Sequence, residues 1–195
     1  MQTREAVEME CILFGKPGPA NTDKVLDLVG ERAHELSVNR IVVATCSGRT
    51  ALRARELLSP DLEVIAVTHV TGFRDPNTQE LSAEAARELS ERGVRVITTG
   101  HAFGGVGRAF RNKTGSYEID EVVAFTLRIF GQGVKVACEI ALMAADAGAV
   151  RTDEEVISIG GTAVGADTAV WMRPANTSKF FDLKLRAILC KPSDW

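Results

Sequence analysis

The stretch Arg40-Ile41-Val42-Val43-Ala44-Thr45-Cys46-Ser47-Gly48-Arg49-Thr50-Ala51 changes character halfway along. Its first half is a β-branched apolar run too short for a helix. Its second half is small, polar and glycine-bearing, and Thr50 to Leu58 then has the look of a helix. A strand that passes through a tight polar turn into a helix is one step of a β/α alternation. Upstream, Val25, Leu28, Val29, Ala33 and Leu36 recur at helical spacing over Asn21 to Val38, with Asn21, Thr22 and Asp23 supplying N-cap chemistry. Downstream, Val64 to Thr68 is another short apolar strand. Leu81, Ala85 and Leu89 mark a helix ending at Gly93, and Val94 to Thr98 is a strand again. Repetition of this kind predicts crossover connections and a mostly parallel sheet.

Farther along, Gly100 to Ser116 has glycines, basic residues and no period, and reads as a long loop. Helices are expected over Asp120 to Phe130 and Val134 to Ala147. In the second, Lys135, Glu139 and Asp146 are the charged residues and share one side, so most of its circumference should be buried. Strands are expected at Val156 to Ile159 and Ala169 to Met172. Leu183 to Leu189 alternates like a half-exposed strand, suited to an antiparallel edge. With no linker, repeat or low-complexity tract, residues 1–195 read as one α/β domain.

Composition narrows the function. The chain has 195 residues, 45% of them hydrophobic and 25% charged, with a formal net charge of −3. That balance lacks the Lys/Arg excess of a dedicated nucleic-acid binder. The longest clean apolar run, Ile140 to Ala145, is far short of the roughly 20 residues of a membrane span. The beginning of the chain, with Arg4, Glu5, Glu8 and Glu10, shows no apolar segment of the signal-peptide kind, so a cytoplasmic location is expected. Cys11, Cys46, Cys138 and Cys190 form no C-x-x-C pair and read as free thiols of a reducing compartment.

In an open parallel sheet, ligands bind beyond the carboxyl ends of the strands. Those positions hold Thr45 to Thr50, His69-Val70-Thr71-Gly72-Phe73, Thr99-Gly100-His101-Ala102-Phe103 and Gly160-Gly161-Thr162. The Thr45 to Thr50 turn combines hydroxyls, Gly48 and Arg49 at a helix start, a combination suited to an anion; an ordinary capped βα turn is the alternative. Gly160 to Thr168 has the spacing G-G-x-x-x-G, neither a dinucleotide fingerprint nor a Walker A loop. It is either a tight turn or a surface on which a flat ring lies, with Gly165, Asp167 and Thr168 at its edge. The Gly100 to Ser116 loop is either a lid or a solvated basic loop. His69 and His101 suit ligand orientation better than a metal, since no carboxylates cluster with them. Cys46 at a helix start is a candidate nucleophile, whereas a Ser47 hydrolase lacks the G-x-S-x-G elbow.

Several of these stretches resemble one family. Thr45-x-Ser47-Gly48-Arg49-Thr50-Ala51 is similar to the phosphate-binding turn of the pyruvate kinase C-terminal α/β domain. Pro17-Gly18-x-x-Asn21-Thr22, Val67-Thr68-His69-x-x-Gly72-Phe73-Arg74 and His101-Ala102-x-x-Gly105-Val106-Gly107-Arg108 resemble stand-alone, largely archaeal relatives of that domain. So do Gln132-Gly133-x-Lys135-Val136, Glu139 to Gly148 and Ile159 to Ala169, which together cover nearly the whole chain. The resemblance implies a three-layer α/β/α sandwich and an association with flavin mononucleotide (FMN), with the reaction unassigned and an oxidoreductase as one reading.

On that resemblance Ser47, Gly48 and Thr50 would contact phosphate, helped by Asn21 and Thr22, with Thr45 and Arg49 beside them. His69 to Phe73, Thr99 to Phe103 and Gly160 to Thr168 would surround the ring. No barrel-sized remainder exists for the kinase's catalytic half, so kinase activity is not expected. Two further readings stand beside the flavin: a non-catalytic module that senses a phosphorylated metabolite at Ser47 to Thr50, and a hydrolase or transferase using Cys46 or His101 on a phosphorylated substrate. The apolar helix Val134 to Ala147 and Phe180-Phe181 suit either a core or a subunit interface, and a homo-oligomer is the expectation.

Overall fold

The structure, a computed structural model, describes residues 8–194; Arg4 and Glu5, on which part of the N-terminal reading rests, lie outside the described residues. Seven strands form one sheet: β1 (Ile12–Phe14), β2 (Arg40–Ala44), β3 (Glu63–Val67), β4 (Arg95–Ile97), β5 (Val156–Gly160), β6 (Thr168–Arg173) and β7 (Lys184–Pro192). Among the described residues six α-helices accompany them: α1 (Thr22–Leu36), α2 (Arg49–Leu57), α3 (Ala83–Glu91), α4 (Val106–Thr114), α5 (Ile119–Arg128) and α6 (Gln132–Asp146). The sheet order is β1-β7-β6-β5-β2-β3-β4.

Strand residues alternate between two cores because successive side chains leave opposite faces of a sheet. Ile41, Val43, Val64 and Ala66 pack with α1, α2 and α3 through Val25, Leu26, Val29, Ala51, Ala54 and Leu89. Val42, Ile65 and Val67 face the other way, onto Ala137, Ala141, Leu142 and Met143 of α6, with Ala124 of α5 in the same cluster. This is the expected three-layer α/β/α arrangement. Its central strands are continuous apolar runs because both faces are covered.

Three features depart from the sequence reading. First, the antiparallel strand is β6, inside the sheet between β5 and β7. All of Leu183 to Leu189 but its first residue belongs to β7, which is paired on both sides, its other partner being the short parallel edge strand β1. Burial in β7 does not follow the alternation but changes along the strand, from exposed Lys184, Leu185 and Arg186 to buried Leu189 and Cys190.

Second, Gly100 to Ser116 is not a loop throughout, because Val106 to Thr114 is helical. The glycines hid the pattern: Gly107 sits inside α4 at a close approach, where an added Cβ would lie 2.3 Å from Asp120 Oδ1. Third, Lys135 and Glu139 do not face solvent, being only 5% and 4% exposed. Helix α6 is core nearly all round, the first of the two readings given above. Phe181, 87% exposed, stays on the surface, while Phe180 packs edge-on against Phe103. Among the described residues no helix is long and apolar enough to cross a membrane.

Candidate functional site

The carboxyl ends of β2, β3 and β5, together with the starts of α1, α2 and α6, enclose a cleft of about 830 Å³. At its polar end, β2 turns through Thr45 to Gly48 into α2. Thr45 N–H donates to the Val67 carbonyl, and Thr45 Oγ1 accepts from Gly48 N–H at 3.1 Å, tying the turn back on itself. Gly48 holds φ +89°, and a Cβ there would come within 3.2 Å of Leu81 and 3.3 Å of Ala85. Both the left-handed backbone and the packing of α3 therefore ask for glycine. Leu52 N–H is bonded to the Gly48 carbonyl. The N–H groups of Arg49, Thr50 and Ala51 precede that bond and are left without intrahelical partners. Ser47 and Arg49 are exposed beside them, Arg49 Nε donating to Ser47 Oγ at 3.3 Å.

The opposite wall is apolar. Val67, Val136, Ile140 and Met143 line it, with Gln132 at the start of α6. Between wall and turn lie the β3 exit and the loop after it. His69 Nδ1 is 2.5 Å from Glu80 Oε2, Arg74 Nε holds Glu80 Oε1 at 2.9 Å, and Cys46 Sγ is 3.5 Å from His69 Nε2. Burial pushes the Cys46 thiol up and Glu80 adds to the rise, while Arg74 works against both. His101 Nε2 accepts from Val70 N–H at 3.4 Å, and its ring stacks on Phe73, which in turn carries Arg108 of α4 over it.

Behind His101 is a buried ion pair. Glu139 accepts from Lys135 Nζ and from Phe103 N–H, the latter at 3.1 Å, and lies 3.8 Å from His101 Nδ1. Burial would raise its carboxyl, but His101 and Lys135 more than offset this and hold it down at about 2. Burial draws the Lys135 ammonium the opposite way from its partner's attraction, lowering it. Glu139 takes several donors whereas Lys135 meets one carboxylate, so the arrangement favours a charged Glu139.

The structure sorts the sequence-derived candidates into two sets. Thr22, Thr45, Ser47, Arg49, Thr50, His69, His101, Gly161 and Gly165 line the cleft. Asn21, Gly48, Thr71, Gly72, Phe73, Thr99, Ala102, Phe103, Gly160, Thr162, Asp167 and Thr168 are outside that lining. Asp167 is completely enclosed: Oδ2 accepts from Gly18 N–H and Thr162 N–H, both at 3.0 Å, and Oδ1 from Thr168 Oγ1 at 2.8 Å. The neighbouring glycines serve close packing. A Cβ on Gly160 would fall 2.3 Å from the Gly133 carbonyl, and one on Gly165 2.6 Å from Pro19 Cα.

Sequence reasoning passed over Glu80, Arg74, Gln132, Glu139 and the apolar wall of α6. Glu80 carried no signal, lying in a polar loop, and Arg74 stood in a family-like stretch without being assigned to the site. The Lys135/Glu139 pair, four apart on an otherwise apolar helix, was a usable one. Among the described residues no group of His, Cys, Asp and Glu is arranged to hold a metal ion.

A sheet covered on both faces, with a polar helix start and an apolar wall meeting at its carboxyl edge, defines an α/β domain with one strand-exit cleft. The family description "Pyruvate kinase, alpha/beta domain" matches residues 23–172, and the chain belongs to that family. Among solved structures, a pyruvate kinase from Cryptosporidium parvum is similar at 17% identity and TM-score 0.42, over 82% of this chain and 24% of that one. A pyruvate kinase of the same organism in complex with ADP gives 18%, 0.38, 80% and 24%. An NH3-dependent NAD synthetase from Campylobacter jejuni, in complex with nitrate, gives 19%, 0.35, 57% and 47%. The chain thus spans about a quarter of the length of the pyruvate kinases it matches.

Proposed function

We propose that the cleft binds a small phosphorylated ligand and that this ligand is flavin mononucleotide. The observation that carries the proposal is the pairing of two unlike surfaces in one cleft. The first turn of α2 brings unpartnered N–H groups, Ser47, Thr50 and Arg49 to one end, and Val67, Val136, Ile140 and Met143 line an apolar wall. A helix start favours a phosphate through its dipole and its free donors. An apolar wall favours a flat ring, and about 830 Å³ falls within the range of pockets that take cofactor-sized molecules. When bound, a flavin brings its own redox chemistry; the chain supplies position and electrostatics. Ser47, Thr50 and the first-turn N–H groups would hold the phosphate, and His69 and His101 would border the ring.

The decisive measurement is absorbance and mass of the small molecule released from denatured protein. A flavin spectrum with the mass of FMN is expected, and its content should fall in Ser47→Ala combined with Thr50→Val. Colourless protein that takes up no added FMN overturns the flavin assignment. A second reading is favoured by the polar mouth formed by Thr22, Asp23 and Arg53: a regulatory module that senses a sugar-like phosphorylated metabolite. Thermal-shift screening separates the two, because a ligand at 100 times its Kd adds roughly 2.7 kcal/mol of stability.

A further inference from the structure

The outward side of α5 is the reverse of what an amphipathic surface helix presents to water. From Ile119 to Phe130 the exposed residues are Ile119, Val122, Phe125, Thr126, Ile129 and Phe130, and none is charged. The charged side chains of that stretch are engaged elsewhere. Glu121 is buried and pairs with Arg111 at 2.6 Å, Asp120 lies against Gly107 of α4, and Arg128 Nε donates to Gln132. The inner side of α5 is already docked on α6, so its apolar outer side is a second face to bury.

Helix α4 extends this face. The close approach of Gly107 to Asp120 and the Arg111–Glu121 pair hold it across the first turn of α5. None of its residues is buried, yet it carries Val106, 86% exposed, and Phe110. Tyr117, on the connection, meets Phe125 edge-on with ring centroids 5.4 Å apart. A helix of nine residues depends on tertiary packing for its stability, and α4 is short of it.

The exposed surface of the large apolar residues between Val106 and Phe130 comes to on the order of 800 Å². The largest apolar patch of a typical monomer is roughly 300–600 Å², whereas about 800 Å² is what each partner gives to a stable interface. The pattern along α5 identifies the partner. Ile119 and Ile129 lie five residues to either side of Ala124, with Phe125 beside the midpoint. Two copies of α5 laid antiparallel across a two-fold axis therefore set Ile119 of each on Ile129 of the other and bring the Phe125 rings together, a self-complementary contact. An anionic lipid surface would instead call for lysines and arginines on the outer side, and the exposed residues of α5 include none.

We propose that the α4–α5 face is the interface of a homodimer, covered by a second copy of this chain with α5 packed antiparallel on α5. The contact stands one helix away from the cleft, since Arg108 of α4 also lies over the Phe73 ring. It does not depend on which phosphorylated ligand the cleft takes.

Light scattering of the full chain on a sizing column should give twice the chain mass. Phe125 and Ile129 are exposed in the single chain, so Phe125→Asp with Ile129→Asp should keep the circular dichroism spectrum and raise the dimer Kd about 100-fold. Hydrogen exchange should be slower in concentrated than in dilute protein over residues 106–130. A Cys11→Ser background removes the exposed native thiol. In it, Ile119→Cys chains mixed with Ile129→Cys chains should form a disulfide that neither forms alone. A monomer at about 100 µM overturns the proposal, as does a dimer that keeps its Kd in the folded double aspartate variant. A disulfide formed by Ile119→Cys alone overturns the antiparallel pairing. A monomer that sediments with phosphatidylserine vesicles, and ceases to in Phe125→Asp, gives the face to lipid and overturns it too.

Discussion

The Gly160 to Thr168 loop and the Thr45 to Thr50 turn look alike as sequence: each leaves a buried strand, and each mixes glycine with hydroxyl residues. In the fold they have opposite fates. The first loop spends most of its polar groups internally, with the buried Thr162 Oγ1 left without a hydrogen-bond partner among the described residues. Asp167 ties Gly18 and Thr162 together, Thr168 bonds Asp167, and Gly165 presses against Pro19 while Thr22 Oγ1 accepts from Ala166 N–H. The second turn spends only Thr45 on itself and leaves Ser47, Thr50 and the start of α2 toward the cleft. Similar residues therefore make a structural clamp in one strand-exit segment and an open turn in the other, both beside the same cleft. The deciding factor is whether another backbone segment lies close enough to take the hydrogen bonds.

That contrast predicts a graded series of effects. The largest concerns the most fully consumed polar group. Glu139→Ala leaves the Lys135 ammonium buried without its carboxylate, and should lower unfolding free energy by about 3–5 kcal/mol in chemical denaturation. Next, Asp167→Ala orphans two backbone donors and the Thr168 hydroxyl, for a loss of about 2–4 kcal/mol. If Asp167→Ala instead left stability untouched and abolished ligand uptake, the assignment of clamp and open edge would be reversed.

Acid should act in the same order. The Glu139 carboxyl is depressed to about 2 in the folded chain, so its contribution is fully present above the ordinary carboxylate range and is lost as pH falls toward about 2. A pH series of unfolding curves in which Glu139→Gln flattens that acid limb would bear this out. The smallest stability effect belongs to the open turn. Ser47→Ala with Thr50→Val should stay within about 0.5 kcal/mol of the parent chain. The same pair should still weaken phosphorylated-ligand binding about tenfold in a titration.

Much of the architecture was legible because period and length are local properties. The β2, β3, β5 and β6 segments are short apolar runs, and α1, α2, α3, α5 and α6 carry helical spacing or caps within a residue or two of the observed limits. Helix α4 escaped because Gly104, Gly105 and Gly107 interrupt its start and because it buries little apolar surface to create a stripe. Strand β1, at three residues, is too short for any period. The Thr45 to Thr50 turn and His69 and His101 were legible as strand exits. Glu80 was not, since a carboxylate eleven residues after a histidine has no local sign that the two will meet.

The order of residues decided the layers, the strand exits and the candidate anion turn, since each follows from spacing over fewer than about 20 residues. Tertiary structure alone decided three other matters. It placed the antiparallel strand inside the sheet, turned the glycines of Gly160 to Gly165 into packing contacts, and brought Cys46, His69 and Glu80 into contact. Each depends on how separate segments approach one another, and the distance between side chains carried by different strands and loops is set by packing of the whole sheet rather than by any neighbourhood of the chain.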